Sequence, residues 1–144
     1  MFRAMLIVVL FLTGHAISAE APIGYVKTLT GEATITTDGK KTKAEVGSPV
    51  HQGSVLQTGS KSSMGVSFKD ETLMSFGADT VFAVDEYLYS PAQGKLKLSS
   101  KLTKGSLNYV SGVIAKLQPD AVSVSTPSGI IGVRGTQFLV KVEE

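Results

Sequence analysis

A chain of 144 residues has room for one folded core and no more. With 14 basic and 12 acidic residues it lacks the positive excess that nucleic-acid phosphates demand. With no cysteine it is neither a disulfide-stapled miniprotein nor a lipoprotein anchored through a thiol, and its fifteen glycines point to a turn-rich β layout.

The opening residues, MFRAMLIVVLFLTGHAISAE, set one charge, Arg3, before an apolar run from Ala4 to Leu12 and the small-residue stretch AISA. This is the layout of a secretory signal peptide, with an apolar part too short to span a bilayer. It predicts a leader at 1–19, cleaved after Ala19, with Ser18 as the rival point because Ile17 fits the third position back poorly. An uncleaved membrane anchor is the alternative. One exported β-domain is then expected over 20–144, soluble and periplasmic or secreted, with no further segment of spanning length.

Beyond the leader, apolar and polar residues alternate with period two. In GYVKTLTGEATITTDGKKTKAEVG, Ala33 and Ile35 oppose Thr34 and Thr36, and Asp38-Gly39 suits the positive φ angles of a two-residue hairpin. Glycines at 47, 53, 59 and 65 predict chain reversals; their even spacing hints at a solenoid, but their flanking residues do not repeat. Met64, Val66 and Phe68 give the next strand its apolar face, and Lys69 to Glu71 make a polar turn. Val81 to Tyr89 is strand-like, SPAQG is a loop, and Leu96, Leu98, Leu107 and Tyr109 supply further inward positions. One short helix is expected near 112–118, ending before Pro119. Val122 and Val124, then Phe138, Val140 and Val142, alternate again. The pattern predicts an all-β fold, a compact sandwich or β-helical roll of about ten short strands.

The most distinctive stretch is TPSGIIGVRGTQF. Pro127 has no N–H to give a ladder, so Thr126-Pro127 marks a strand end, and Gly129, Gly132 and Gly135 permit kinks. Ile130, Ile131 and Val133 beside Arg134 predict a covered stem, and a covered guanidinium needs partners. Its five donors suit several carbonyls or the carboxylate of Asp70, Asp79 or Asp85. Arg134 therefore reads as a brace for a corner of the fold, within a structural motif of Thr126, Pro127, Gly132, Arg134, Gly135 and Thr136; an exposed partner contact is the other reading.

On these residues the chain resembles the FecR domain family. The run TPSGIIGVRGTQFLV is similar to its terminal signature, GSVLQTGSKSSMGVSFKDETLMSF to its middle, and LTKGSLNYVSG also fits, so the likeness covers nearly all of the chain after the leader. The resemblance implies a β-rich fold and an envelope location. The family often places Asp-Gly at the acidic turn, where this chain has Asp70-Glu71. The family's named regulators also carry a cytoplasmic sigma-factor-binding segment and a transmembrane helix. Only the exported part is expected here, so the anti-sigma role does not carry over.

Catalytic signals are sparse. His51 is the single histidine after the leader, so no His/Cys zinc set or Cys-His pair exists, and no Gly-x-Ser-x-Gly elbow accompanies it. It reads as a loop residue rather than a base. Adjacent acids in FKDE and VDEY, with Asp79, admit glycoside hydrolysis or calcium binding, but acids at turns are usually solvated and no EF-hand spacing appears. No catalytic residue, metal or cofactor is assigned.

Lys95 and Lys97 share one strand face, Lys101 and Lys104 follow, and Lys40, Lys41 and Lys43 crowd the early hairpin. Such lysines guard an edge strand, or form a contact patch for an anionic polymer or acidic partner. Tyr87 and Tyr89 also share a face, for packing or for stacking on sugar rings. Tyr87, Tyr89, Lys95 and Lys97 are the candidate contact residues. The sequence thus predicts a non-enzymatic envelope module acting through protein–protein contact in sensing, regulation or assembly. A carbohydrate- or small-ligand-binding β-domain is the alternative, and a glycan-cleaving enzyme the third reading. The expected partner is an envelope protein, with a glycan second and nucleic acid excluded.

Overall fold

The computed structural model describes residues 21–132 and 135–143. In chain order the strands are β1 (Gly24–Thr30), β2 (Ala33–Thr37), β3 (Lys40–Lys43), β4 (Pro49–Val50), β5 (Val55–Thr58) and β6 (Ser63–Phe68). They continue with β7 (Leu73–Phe76), β8 (Val81–Ser90), β9 (Lys95–Val110), β10 (Val122–Thr126), β11 (Gly129–Gly132) and β12 (Gln137–Val142). A short helix, α1 (Val113–Leu117), falls where the sequence places it. The all-β expectation is met. The leader predicted at 1–19 lies outside the described residues.

These twelve strands form one hydrogen-bonded sheet that folds over along β9 into two layers. The first layer runs β3-β2-β5-β8-β9-β10-β11 and the second β4-β1-β6-β7-β9-β12. Among the described residues every pairing is antiparallel except β9 with β10. Residues 95–104 of β9 lie beside β8, and residues 105–110 lie between β7 and β12. The sequence suggests separate runs for Leu96-Leu98 and Leu107-Tyr109; they are the two ends of one 16-residue strand.

The change of layer comes at Gly105, where φ is +92°. A Cβ there would run into Thr80, whose Oγ1 accepts a hydrogen bond from the Ser106 backbone N–H at 3.1 Å. Close approach and a positive φ both demand glycine. The passage also reverses the inward parity, through a register shift that leaves Thr103 as an extra residue just before it: Leu98 and Leu102 are buried on one side, Leu107 and Tyr109 on the other. A register shift between Val84 and Glu86 does the same to β8, leaving Asp85 as the extra residue. Phe82 and Val84 point inward before this bulge and Tyr87 after it.

The core fills the space between the layers. Phe76 of the second layer meets Phe82 of the first at a centroid distance of 4.8 Å, and Phe68 meets Tyr87 at 5.7 Å. Of the glycines expected at reversals, Gly65 sits instead in mid-strand opposite Thr28, where its missing side chain makes room for the threonine hydroxyl. The Asp38-Gly39 hairpin forms as expected, with φ of 52° and 77°. Gly105→Ala should cost about 2 kcal/mol or more, read as a lower urea midpoint. A variant that unfolds like the parent would show that β9 changes layer without needing glycine.

Candidate functional site

The polar turn between β6 and β7 holds a side chain in an unusual place. Asp70 has no solvent exposure. Its Oδ1 accepts hydrogen bonds from the Tyr87 hydroxyl at 2.8 Å and the Thr72 backbone N–H at 3.4 Å. Its Oδ2 accepts from the Thr72 hydroxyl at 2.7 Å and from the Ile114 N–H at 3.1 Å, in the first turn of α1. The Asp70 carbonyl accepts a further bond from the Val113 N–H at 2.7 Å, and its own N–H donates to the Tyr87 oxygen at 3.1 Å. Four donors thus occupy the four lone-pair directions of one carboxylate. This corrects the expectation of a solvated turn acid.

Local geometry explains the inward aim. Glu71 adopts φ +70°, the left-handed position that glycine fills most easily. Gly112, just before α1, lets the helix end approach: a Cβ there would collide with the Thr72 nitrogen and the Asp70 carbonyl. Neither contact is visible as a sequence motif. Tyr87 and Thr72 are reached only after the Asp85 bulge and the turn are known.

Tyr87 is correspondingly a core residue, 5 % exposed, and is withdrawn as a ligand contact. Simple alternation from Phe82 would have turned it outward; the bulge turns it in. Burial, then the Asp70 carboxylate, raise its pKa and keep the phenol protonated. Tyr89 is half-buried against the core rather than displayed for stacking. Tyr109 is fully buried, and burial pushes its phenol up to about 12. The Thr72 and Ser111 hydroxyls lie close enough to oppose that rise, yet neither reaches hydrogen-bond geometry, and the Tyr109 hydroxyl has no partner among the described residues.

The terminal motif is differently placed from its sequence reading. Arg134 and Val133 lie outside the described residues, so the brace assigned to Arg134 does too. Thr126 and Gly129 close the β10–β11 hairpin around Pro127 and Ser128, with the Thr126 hydroxyl donating to the Gly129 carbonyl at 2.9 Å. Pro127 thus stands just past a strand end, as expected. Gly135 and Thr136 are tied to the end of β9: the Ser111 hydroxyl donates to the Gly135 carbonyl and the Ser111 N–H to the Thr136 carbonyl, both at 2.8 Å. Of the predicted apolar cover, Ile130 and Ile131 face water, and Val133 lies outside the described residues. Ile130 is 76 % exposed and Leu139 72 %, and Gly132 is exposed as well. An open hollow of about 500 Å³ runs between β11 and β12, lined by Ile131, Gly132, Phe138, Leu139, Val140 and Lys141.

Lys95 and Lys97 point outward on β9, and the Lys97 ammonium pairs with Glu86 at 2.8 Å. The edge-guard explanation suits β3, which pairs only with β2 among the described residues. It fails for Lys101, which sits between Ala83 of β8 and Ser125 of β10. His51 is half-buried in the turn before β5, with its backbone N–H bonded to the Ser54 hydroxyl at 3.0 Å. Asp79 and Asp85 are exposed, at a turn and at the bulge. No trio of His, Asp or Glu that would hold a metal occurs among the described residues.

A family model described as FecR protein matches residues 54–144, which contain the acidic turn, the crossing strand and the exposed terminal motif. The chain belongs to the FecR family. FecR proteins form a regulatory, non-enzymatic family of envelope sensing and signal transduction. The match begins at Ser54, so β1 to β4 fall outside it, yet β1 pairs with β6 and β2 with β5 inside the matched span. No curated protein and no solved structure matches the chain. No helix among the described residues is long and apolar enough to cross a membrane.

The two buried phenols predict opposite outcomes. Tyr87→Phe should cost about 1–2 kcal/mol, because it strips a donor from Asp70, whereas Tyr109→Phe should be neutral or stabilising. Below pH 10 the Tyr109 phenol is protonated folded or unfolded; between about 10 and about 12 the unfolded chain releases the proton first. Stability must therefore fall as pH rises through that window, and Tyr109→Phe should shallow the fall. Equal losses from both variants in chemical melts would contradict the assigned hydrogen bonds.

Proposed function

We propose that this FecR-family chain is exported and acts, without catalysis of its own, by protein–protein contact in envelope sensing, regulation or assembly. The observation that supports this reading is the uncovered apolar corner of β11 and β12. Among the described residues β11 pairs only with β10, and none of its four residues is buried or charged. An unguarded apolar edge of this kind offers N–H and C=O groups to an added strand, with Ile130 as a side-chain anchor. The occupant proposed is one extended strand of an envelope protein, laid along β11 and seating an apolar side chain in the hollow beside Leu139. Family membership supports the regulatory sense of the contact; the geometry supports its place.

A photo-crosslinking residue at position 130 or 139 in cells should yield one discrete protein adduct that the same residue at position 36 does not. Ile130→Lys should abolish the adduct formed from position 139 while leaving the melting temperature unchanged. Equal labelling from position 36, or persistence of the adduct in the lysine variant, would count against the corner.

Arg134, on its sequence context, is assigned to brace this corner. Arg134→Ala should then lower stability by about 3 kcal/mol or more, since an acid or carbonyl set loses its pair. An unchanged melt combined with loss of the adduct would make Arg134 a contact residue instead.

A further inference from the structure

The charges on the strands are sorted between the two layers. On the strands of the first layer, β3 carries Lys40, Lys41 and Lys43 and the first part of β9 carries Lys95, Lys97, Lys101 and Lys104, against only Asp85 and Glu86. The strands of the second layer carry Lys27 and Lys141 and no acid. The remaining acids among the described residues stand off the strands, in turns, loops and, for Asp120, a short 3-10 helix. A chain with nearly balanced totals has therefore gathered its positive charge on one side of one layer.

Cross-strand register shows how those lysines are arranged. One lateral row reads Lys41, Thr36, Val55, Ala83 and Lys101 across β3, β2, β5, β8 and β9. The neighbouring row reads Lys43, Thr34, Gln57, Val81 and Lys104. Each row starts and ends on a lysine, with four inter-strand steps, about 19 Å, between them. The residues facing inward on these strands, Ile35, Leu56, Phe82 and Leu102, are buried, and the register shift between Val81 and Phe82 makes Thr103 an extra residue, so that Lys104 opposite Val81 joins the rest of both rows on the outer face. Between the lysines lie hydroxyls, an amide and short aliphatic side chains, without an aromatic ring or an acid. A shallow hollow of about 170 Å³ opens beside Lys41, where Thr34, Gln57 and Glu32 line it.

We infer that this outer face docks an acidic polysaccharide lying across the strands, a site that adjoins the apolar corner, since the first row continues from Lys101 through Ser125 to Ile130. Two lysines at each end meet carboxylates of the polymer, and the Thr34 and Thr36 hydroxyls with the Gln57 amide meet its hydroxyls between them. Glu32 accepts from sugar hydroxyls at the hollow and sets the local charge apart from a purely cationic patch. A lipid surface fits less well, because between their lysines these rows offer nothing large and apolar to enter a headgroup layer. An acidic protein fits less well too, because the face has no deep apolar pocket for an anchoring side chain.

The test uses alginate, a polyuronate, with dextran as the neutral polymer, polyglutamate as the acidic polypeptide and phosphatidylglycerol vesicles as the anionic lipid. The chain should bind alginate and not dextran, and binding should weaken as sodium chloride rises from about 0.05 M to about 0.5 M. Replacing Lys41, Lys43, Lys101 and Lys104 by alanine should weaken alginate binding by about tenfold or more without lowering the melting temperature. Arginine at the same four positions should restore it, and alanine at Lys27 and Lys141 should change nothing. Unaltered alginate binding by the four-alanine variant overturns the site. Equal or tighter retention of polyglutamate or the vesicles overturns the polysaccharide as occupant. Ile130→Ser, which adds no charge beside Lys101, must leave alginate binding intact, so failure here and failure of the protein contact are read separately.

Discussion

A carboxylate without water around it constrains the structure more than any other group described. An ionised acid taken out of solvent costs several kcal/mol unless donors replace the water it loses. Asp70 gets those donors from its own turn, from β8 and from the start of α1, segments far apart in the chain. Each donor is useful only when the others are in place. The arrangement therefore ties the β6–β7 turn, the bulged strand and α1 to one another, and makes the closed end of the sandwich all-or-none. A hydrophobic cluster of the same size would hold these pieces together, but it would not dictate their register.

Two parts of the molecule differ in kind. Around Asp70 the carboxylate is fully matched and the surface is sealed, which suits a part that must not change. Around β11 and β12 apolar side chains stand in water, and backbone groups face outward. Such exposure is an aggregation hazard unless a partner normally covers it. The first lysine row runs on past Lys101 through Ser125 to Ile130, so the two contact sites proposed above adjoin on one face.

Much of the fold was legible in the sequence, for physical reasons that differ by element. Asp38-Gly39 announces its hairpin because few residues tolerate two successive positive φ angles. Met64, Val66 and Phe68 announce a half-buried strand because alternation is the only way to bury one face. What misled was parity. The Asp85 bulge and the passage at Gly105 each shift the alternation by one residue, and no residue type advertises a bulge as Asp-Gly advertises a turn. Tyr87, left open in the sequence between packing and stacking on sugar rings, is a core phenol. The terminal motif erred the other way: Ile130 and Ile131 look like cover because they are apolar, yet sequence cannot distinguish a buried strand from an exposed edge. Asp70 was legible as an acid of interest but not as a sealed one, because its donors come from Tyr87 and Ile114, distant along the chain.

The sixteen residues of β9 belong to both layers at once, and this has a mechanical consequence. Neither layer can peel away while the other survives, since the same backbone supplies a ladder to each. Tension applied through a strand added at β11 passes by way of β10 directly into that common beam. The load is shared by both halves of the molecule, so a bound partner can tug without unravelling the protein piecemeal.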